Sequence, residues 1–360
     1  MTKAIYVGVD GKARKVKKMY VGVSDKARKV KKAYVGVGGV ARLFFSGDPE
    51  LTYYGTVTDL SVARYSACAK TVGSYALFAG GYDGSSDIAV VDAYNSNLTR
   101  SSAPVLDKAR TRIAGTAHSG YALFGPGDDY DTIVEAYNAN LTKSTLTGLS
   151  AERYYLAATT VGNYALFAGG YKSKVVDAYN SNLTRSTATA LSADRFDLAG
   201  SSVGNYALFG GGQSGTSYST VVDAYNTNLT KTTATSLTVA RSRLTGTNHG
   251  SYAMFAGGNK TGTTVEAYDA NLTRSTPTSM TKAQSIPTSV SIGGFALIGG
   301  GTGGMKVVDV YDSKLTKCDS MALNSNRTNV VATANGNYAL FGGGGLGTTP
   351  YSTVEVFAVT

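Results

Sequence analysis

Tryptophan is absent from this chain of 360 residues, and histidine and cysteine occur only twice each. The two cysteines, Cys68 and Cys318, are far apart in sequence and no Cys-x-x-Cys pair occurs, which excludes a disulfide framework and a cysteine-based zinc site. His118 and His249 occupy equivalent places just before a turn. We interpret both as turn residues, because no further ligands accompany them.

Long apolar runs are also missing. No stretch of about 18 apolar residues exists, so we expect no membrane span. The start of the chain lacks the 7–15-residue apolar segment typical of a signal peptide. These absences predict synthesis in the cytoplasm without a leader.

Charge is sparse, at 16% of residues, and it is unevenly placed. Residues 1–45 hold 12 of the 34 Lys and Arg residues but only 2 of the 24 acids, so the net charge of +10 belongs to this segment and the remainder is neutral. A uniformly basic nucleic-acid-binding domain is therefore not indicated.

What the chain does contain is glycine and tyrosine, 44 and 25 residues, with only 6 prolines. Together with abundant Val and Thr, this composition is typical of short strands joined by tight turns. The composition therefore predicts an all-β protein.

A phrase close to Tyr-Ala-Leu-Phe-Ala-Gly-Gly recurs seven times. The copies begin at Tyr75, Tyr121, Tyr164, Tyr206, Tyr252, Phe295 and Tyr338. Each unit contains four short apolar segments separated by turn residues, such as Gly162-Asn163. A four-stranded unit repeated radially is a propeller blade, so the sequence predicts a seven-bladed β-propeller over residues 47–360. The seventh unit lacks its fourth segment, and we expect the stretch beginning at Leu51 to complete it and close the ring.

These units resemble the kelch family. The resemblance covers about residues 50–360 and rests on the double glycine, on an acid-x-Tyr phrase such as Asp92-Ala93-Tyr94, and on an arginine opening each unit. The chain departs from the family in lacking its usual tryptophan, in having Pro126 where a glycine is expected, and in having Gln284 as the opening residue of the sixth unit. The departures indicate a divergent kelch-type propeller.

One arginine and one acid recur in the blades. The arginines are Arg64, Arg110, Arg153, Arg195, Arg241 and Arg327, and the acids are Asp92, Glu135, Asp177, Asp223, Glu266, Asp309 and Glu355. We interpret them as structural, since a binding site usually breaks the symmetry of a repeat. A ring of ligand-binding groups is the alternative.

A second repeat, with a period of 14 residues, occupies residues 1–46. Tyr-Val-Gly-Val predicts a strand and Arg-Lys-Val-Lys-Lys a return strand, so the segment is a series of small β-hairpins too small to have a large core of its own. Its docking residues are predicted to be Tyr6, Arg14, Lys15, Lys17, Tyr20, Arg28, Lys29, Lys31, Tyr34 and Arg42. We expect an acidic protein partner rather than nucleic acid.

The wording of this repeat resembles segments of tail-associated structural proteins of phages and prophages of Gram-positive bacteria. The resemblance implies a non-enzymatic component of a virion or phage-tail-like particle, present in multiple copies and anchored to other particle proteins through residues 1–46. An intracellular kelch scaffold for protein binding and a kelch-fold enzyme are the alternatives. No catalytic residue, metal or cofactor is expected.

The loops after the double glycines differ between blades and lie on one face of the predicted ring, so they are the candidate binding residues for a cell-surface glycan or protein. They are Tyr82, Asp83, Asp87, Asp128, Asp129, Tyr130, Asp131, Tyr171, Lys172, Tyr218, Lys260 and Tyr351. Solvated loops without a ligand are the alternative.

Overall fold

The computed structural model describes residues 6–9, 12–16, 19–23, 26–30, 32–37, 40–46, 49–128, 131–259, 262–302 and 306–360. The chain divides into two compact units, residues 1–52 with 359–360, and residues 53–358. The two units are treated separately below. Among the described residues there is no helix with the length and apolar character needed to cross a membrane.

The described residues form 38 strands in antiparallel sheets, which confirms the predicted all-β class. In chain order the strands are β1 (Tyr6–Val9), β2 (Lys12–Lys15), β3 (Met19–Val23), β4 (Lys26–Val30), β5 (Lys32–Val37), β6 (Val40–Ser46), β7 (Leu51–Val57), β8 (Cys68–Val72), β9 (Tyr75–Ala79), β10 (Val91–Tyr94), β11 (Arg100–Ala103), β12 (Gly115–His118), β13 (Tyr121–Phe124), β14 (Glu135–Asn138), β15 (Lys143–Thr145), β16 (Ala157–Val161), β17 (Tyr164–Ala168), β18 (Val176–Asn180), β19 (Arg185–Ala188), β20 (Ala199–Val203), β21 (Tyr206–Gly210), β22 (Gln213–Ser214), β23 (Ser217–Tyr218), β24 (Val222–Asn226), β25 (Lys231–Thr233), β26 (Thr245–His249), β27 (Tyr252–Ala256), β28 (Val265–Tyr268), β29 (Arg274–Ser275), β30 (Thr288–Ile292), β31 (Phe295–Gly299), β32 (Val307–Asp312), β33 (Met321–Ala322), β34 (Val331–Asn335), β35 (Tyr338–Gly342), β36 (Gly345–Leu346), β37 (Thr349–Pro350) and β38 (Val354–Val359).

Seven four-stranded sheets form the blades of a β-propeller. Blades 1 to 3 are β8–β11, β12–β15 and β16–β19, and blade 5 is β26–β29. Blade 4 is β20, β21, β24 and β25, with the small hairpin β22–β23 in its central loop, and blade 6 is β30–β33. The first strand of each blade packs against the first strands of its neighbours, so these inner strands surround the centre of the ring.

Blade 7 confirms the predicted closure of the ring. Its sheet has the order β34, β35, β38 and β7, so the strand Leu51–Val57 supplies the fourth strand to a blade whose other strands come from the end of the chain. This pairing covers the sheet edge that β38 would otherwise expose.

A buried aromatic pair is repeated in most blades. The phenylalanine of the second strand meets the tyrosine of the third edge-on, as Phe167 and Tyr179 do at 5.8 Å between ring centroids. The Tyr179 hydroxyl donates to the carbonyl oxygen of Thr147 at 2.6 Å, which satisfies its polar end. Blade 7 has Phe357 at this tyrosine position.

The repeated arginines are the charged counterpart of this core. We call Arg64, Arg110, Arg153, Arg195, Arg241 and Arg327 the blade arginines; each is at most 1% exposed. Arg153 Nη2 is 2.6 Å from the Asp177 carboxylate on the third strand of its own blade, and Arg153 also donates to the carbonyl oxygens of Val175 and Phe167. Arg185, on the fourth strand, reaches the other Asp177 oxygen at 3.0 Å. These contacts support the structural interpretation of the repeated pairs.

Steric crowding and backbone conformation explain why two glycines follow the second strand. Gly169 and Gly170 have φ angles of +72° and +116°. A Cβ on Gly169 would lie 2.5 Å from the carbonyl oxygen of Arg195. The chain must therefore pass close to the next blade in a conformation that side chains disfavour.

The N-terminal unit contains three two-stranded sheets: β1 with β2, β3 with β4, and β5 with β6. The registers repeat, with Val9 opposite Lys12 in the first hairpin and Val23 opposite Lys26 in the second. The predicted hairpin segment is confirmed. The boundary predicted at residue 46 stays a prediction.

Candidate functional site

Seven residues surround the centre of one face of the propeller, one from each blade, just before the inner strand. We call them the mouth ring. All have positive φ angles, between 52° and 58°. The mouth ring is Ser66, Arg112, Tyr155, Asp197, Arg243, Ile286 and Asn329. Such φ values are uncommon for residues other than glycine, and they persist only where the surrounding structure enforces them.

Backbone hydrogen bonds between neighbouring blades enforce this conformation. The amide of Arg112 donates to the carbonyl oxygen of Ser66 at 2.7 Å, and the amide of Arg243 to that of Asp197 at 2.8 Å. The Asp197 amide likewise donates to the Tyr155 carbonyl oxygen at 3.0 Å. The mouth ring is therefore a fixed backbone rim from which side chains can project without a large entropic cost on binding.

A cavity of about 390 Å³ opens within the mouth ring. Many of its lining residues are small, with Ala69, Ala157, Ala199 and Ala332 among those of the inner strands, and polar and apolar atoms share the surface about equally. A cavity of this size is typical of a small-molecule site.

The cavity lining carries a net positive charge, whereas residues 46–360 as a whole are neutral. Its charged lining residues are three basic ones, Lys70, Arg112 and Arg243, and a single acid, Asp197. The arginines and Asp197 come from blades 2, 4 and 5, whereas blades 6, 7 and 1 present Ile286, Asn329 and Ser66. The charged residues therefore differ from blade to blade around the mouth, and this asymmetry separates the cavity from the repeated core.

Arg112 is half exposed, at 51% of its side chain, and pairs with Asp128 at 3.0 Å. Its guanidinium lies 5.2 Å from the centre of the Tyr155 ring and also donates to the Tyr155 hydroxyl. Burial raises the pKa of Tyr155, an effect that Arg112 opposes. The Tyr155 hydroxyl therefore stays protonated near neutral pH and can donate a hydrogen bond into the cavity.

Arg243 is 49% exposed and donates from Nε to Asp197 at 3.0 Å. Its two terminal nitrogens have no hydrogen bond or ion pair within the described part of the chain. The Asp197 contact orients the guanidinium and leaves its outer edge for a ligand. A planar pair of donors of this kind matches a carboxylate or phosphate.

Next to the mouth ring, four aromatic side chains of blades 3 and 4 form what we call the four-ring cluster: Tyr154, Tyr155, Tyr171 and Phe196. Consecutive centroids are 4.8 Å (Tyr154–Tyr155), 5.1 Å (Tyr154–Tyr171), 5.5 Å (Tyr171–Phe196) and 6.3 Å (Tyr155–Phe196) apart. All four are partly exposed. Tyr155 belongs to both the four-ring cluster and the cavity wall.

The predicted loop residues fall into several environments on the same face. Tyr171 and Lys172 join or flank the four-ring cluster, and Asp128 orients Arg112. Tyr82 packs on Tyr65 at 5.4 Å. These residues contact members or neighbours of the mouth ring, and their role in binding stays a prediction.

The other loop candidates face elsewhere or serve the loop itself. Asp83 accepts hydrogen bonds from the amides of Ser85 and Ser86, which fold its own turn and lower its pKa. Asp131 is buried and lies 3.6 Å from Lys108.

Three further candidates, Asp87, Tyr218 and Tyr351, are partly buried, and Tyr218 lies in the short strand β23, opposite Gln213 of β22. The predicted residues Asp129, Tyr130 and Lys260 lie outside the described residues.

The predicted docking residues lie in the hairpin unit. Tyr6 is in β1, Arg14 and Lys15 in β2, Arg28 and Lys29 in β4, and Arg42 in β6. Tyr20 and Tyr34 occupy the same place in successive repeats and are 56% and 55% exposed. Lys17 and Lys31 lie outside the described residues.

The mouth ring was missed in the sequence, although a signal for it exists. Each member stands two positions after the opening arginine of its blade, or after Gln284 in blade 6. The repeated residue draws attention, whereas the variable residue beside it carries the asymmetry. Aligning the repeats on the arginine and reading the second position after it would have selected all seven residues.

Comparisons with known proteins identify the fold of the chain but not its function. No protein-family model matches the chain, and no curated protein matches it. Among solved structures, a fungal alcohol oxidase of the AA5 family, in complex with copper, is similar with a TM-score of 0.65 and 13% identity, over 85% of this chain and 76% of that one. The structure of YjhT is similar with a TM-score of 0.53 and 10% identity, over 84% of this chain and 99% of that one.

These neighbours contradict the prediction of a non-enzymatic phage structural component. The first of them is an enzyme, and at 13% and 10% identity the two likenesses show the propeller fold alone. The reason for the error is physical. The repeats specify the buried blades, which are common to propellers of different function, whereas the chemistry is set by side chains at the centre of the ring.

Copper does not fit the residues of this chain. In the part that the structure describes, no three His, Cys, Asp or Glu side chains are grouped so as to hold a metal ion. His118 and His249 end the inner strands β12 and β26, whereas the mouth ring precedes the beginning of those strands. Both histidines are buried, and His249 is hydrogen-bonded to Ser291 Oγ and the Asp312 carbonyl oxygen, each at 2.9 Å. Cys68 lines the cavity, but burial raises the pKa of its thiol, which disfavours a metal-binding thiolate.

Proposed function

We propose that this chain is a divergent kelch-type propeller enzyme whose substrate is a small sugar acid bound in the central cavity. The observation that carries the proposal is the asymmetric mouth ring, which places the outer edge of the Arg243 guanidinium at the entrance of a cavity of about 390 Å³. The double glycines and the buried arginine–acid pairs support the kelch-type assignment.

The chemistry of the mouth ring suggests the ligand. The terminal nitrogens of Arg243 match a carboxylate, and the Tyr155 hydroxyl can donate to a ring or hydroxyl oxygen. The uncharged members of the ring, Ile286, Asn329 and Ser66, suit a less polar edge of the same molecule. A monosaccharide with a single carboxylate has both features and a size that the cavity can hold.

Asp197 is the acid of the cavity lining and lies beside Tyr155, through the hydrogen bond between their backbones. The two residues therefore supply a proton acceptor and a proton donor from neighbouring blades of the cavity lining. A proton acceptor and a proton donor are the two groups that general acid–base chemistry on a bound sugar requires.

The proposal is tested by titration calorimetry with galacturonate and with galactose, its uncharged analogue. We expect galacturonate to bind at least about tenfold more tightly, and Arg243→Ala to remove most of that difference, because a charge-assisted hydrogen bond is worth about 1.5–3 kcal/mol. Lys314→Ala is the matched control, since it removes an equal charge from an exposed turn in blade 6. Equal binding of the two sugars, or no binding of either, would contradict the proposal.

Turnover is tested separately. Proton NMR of galacturonate incubated with the protein should show new resonances, and Asp197→Asn should suppress them while the sugar still binds. Binding without any conversion would leave a binding protein and would refute the enzymatic part.

The hairpin unit keeps its predicted role as a docking segment for an acidic partner, on the strength of its charge and its exposed tyrosines. Pull-down with the full-length chain, compared with a chain beginning at residue 49, would test it. Equal capture of acidic proteins by both forms would count against that role.

A further inference from the structure

The four-ring cluster has no equivalent elsewhere in the described part of the propeller. The positions of Tyr154 and Tyr171 correspond to Tyr65 and Tyr82 in blade 1, to Thr111 and Asp128 in blade 2, and to small or polar pairs in blades 5 to 7. Only in blade 3 do the paired rings gain two more, Tyr155 from the mouth ring and Phe196 from blade 4. The repeat therefore does not require the cluster.

Two cations flank it. The Lys172 ammonium lies 5.3 Å from the centre of the Tyr171 ring, and the Arg112 guanidinium 5.2 Å from that of Tyr155. Lys172 is exposed and has a φ of 53°. Tyr154 and Tyr171 stack on each other, so a ligand would meet the outer, exposed part of the cluster. Partly exposed rings with adjacent positive charge suit a flat, weakly polar ligand that carries a negative group.

The four-ring cluster is also continuous with the cavity. Tyr155 contributes to both, and Asp197, the next residue after Phe196, lines the cavity as well. A ligand in the cavity that extends toward blades 3 and 4 must pass over these rings.

We propose that the four-ring cluster is a second sugar subsite, so that the substrate is an acidic oligosaccharide with one unit in the cavity and the next packed against the exposed part of Tyr171 and Tyr154. This inference rests on the proposed function of the cavity. Lys172 would meet the carboxylate of the second unit, as Arg243 would meet that of the first.

The test compares galacturonate with its α-1,4-linked dimer, digalacturonate, by titration calorimetry. We expect the wild-type chain to bind the dimer about tenfold more tightly than the monomer, the upper range for one ring packed against aromatic side chains. Tyr171→Ala should leave monomer affinity within about twofold and lose most of the gain for the dimer. Tyr82→Ala, at the equivalent position of blade 1, is the matched control and should keep the gain.

Two milder variants guard against a folding defect. Tyr171→Phe keeps the ring and should retain the gain, whereas Lys172→Gln should reduce it by about two- to fivefold without affecting the monomer. If the monomer binds but the dimer binds no better, or if Tyr82→Ala and Tyr171→Ala act alike, the second subsite is refuted and the cavity proposal survives. If the monomer does not bind at all, the cavity proposal and the second subsite fall together.

Discussion

Arg241 and Arg243 are two residues apart, and they show how differently the blades and the mouth of this propeller use one residue type. Arg241 is fully buried and pairs with Glu266 of its own blade at 2.6 Å. Arg243 is 49% exposed at the cavity, and its partner Asp197 belongs to the preceding blade. The first kind of arginine recurs in six blades, and the second occurs in two. Repetition therefore marks the residues that hold the fold, and its breakdown marks the residues available for function.

The largest expected effect on stability comes from removing β7. A chain beginning at residue 58 lacks the strand that completes blade 7, and we expect a Tm about 10 °C or more below that of the full chain, with aggregation, because an edge of β38 becomes exposed. A chain beginning at residue 49 keeps β7, and its Tm should lie within about 2 °C of the full-length value. Differential scanning calorimetry distinguishes the two. Equal stability of the two truncated chains would show that closure by β7 contributes little.

The next test replaces one blade arginine and one mouth-ring arginine by alanine. Arg153→Ala should lower the free energy of unfolding by about 3–5 kcal/mol, because it removes a buried partner of Asp177. Arg243→Ala should change it by no more than about 0.5 kcal/mol, since the side chain is half exposed. Urea unfolding monitored by tyrosine fluorescence gives both values. A large loss for Arg243→Ala would mean that the mouth ring is part of the structural core, and the contrast between the two classes would fail.

Blade 6 allows a finer comparison, because Gln284 replaces the blade arginine there. Asp309 is instead hydrogen-bonded by Thr281 Oγ1 at 2.6 Å and Ser320 Oγ at 2.8 Å, and Lys317 lies 3.0 Å away. Asp309→Asn leaves no buried arginine unpaired, so we expect a loss of about 1–2 kcal/mol. Asp177→Asn in blade 3 should cost about 3 kcal/mol or more, because the charge of Arg153 stays buried.

Both values come from urea titrations of the single variants against the wild type. Arg185→Ala, which removes only the outer cation of Asp177, is a useful control and should cost less than Asp177→Asn. If the two acid variants lose equal stability, the blade arginine is not what makes the acid of blade 3 important.

The sequence was sufficient for the fold because the fold depends on features that repeat. The double glycines, the Phe–Tyr pairs and the arginine–acid pairs each recur with the blade period, and the missing fourth segment of the seventh unit predicted the closure by Leu51–Val57. Gln284 was visible as an exception, and the structure explains how Asp309 is satisfied without an arginine.

The site could be predicted only in part. Tyr171 and Lys172 were selected because their loop varies, but Tyr155, Asp197 and Arg243 stand inside the repeat, and only three-dimensional closure of the ring brings them around one cavity. Function was predicted wrongly because the hairpin repeat of residues 1–46 was used to interpret the whole chain.

The smallest expected effect concerns His249, a residue that varies between blades yet is buried. Burial lowers its pKa, and Ser291 and the Asp312 carbonyl group hold the ring in place. A base whose folded pKa lies below its unfolded value of about 6.5 stabilises the fold fully above that value and loses its contribution as the pH falls. We therefore expect the free energy of unfolding of the wild type to drop between pH 7.5 and 5.5 by more than that of His249→Val. Valine is chosen because it is the residue at the equivalent position of blade 4, Val203. Urea titrations of both proteins at the two pH values measure this difference. Equal losses of stability in the two proteins would show that His249 is protonated to the same extent in the folded and unfolded states. This exception to the repeat would then have no effect on the pH dependence of stability.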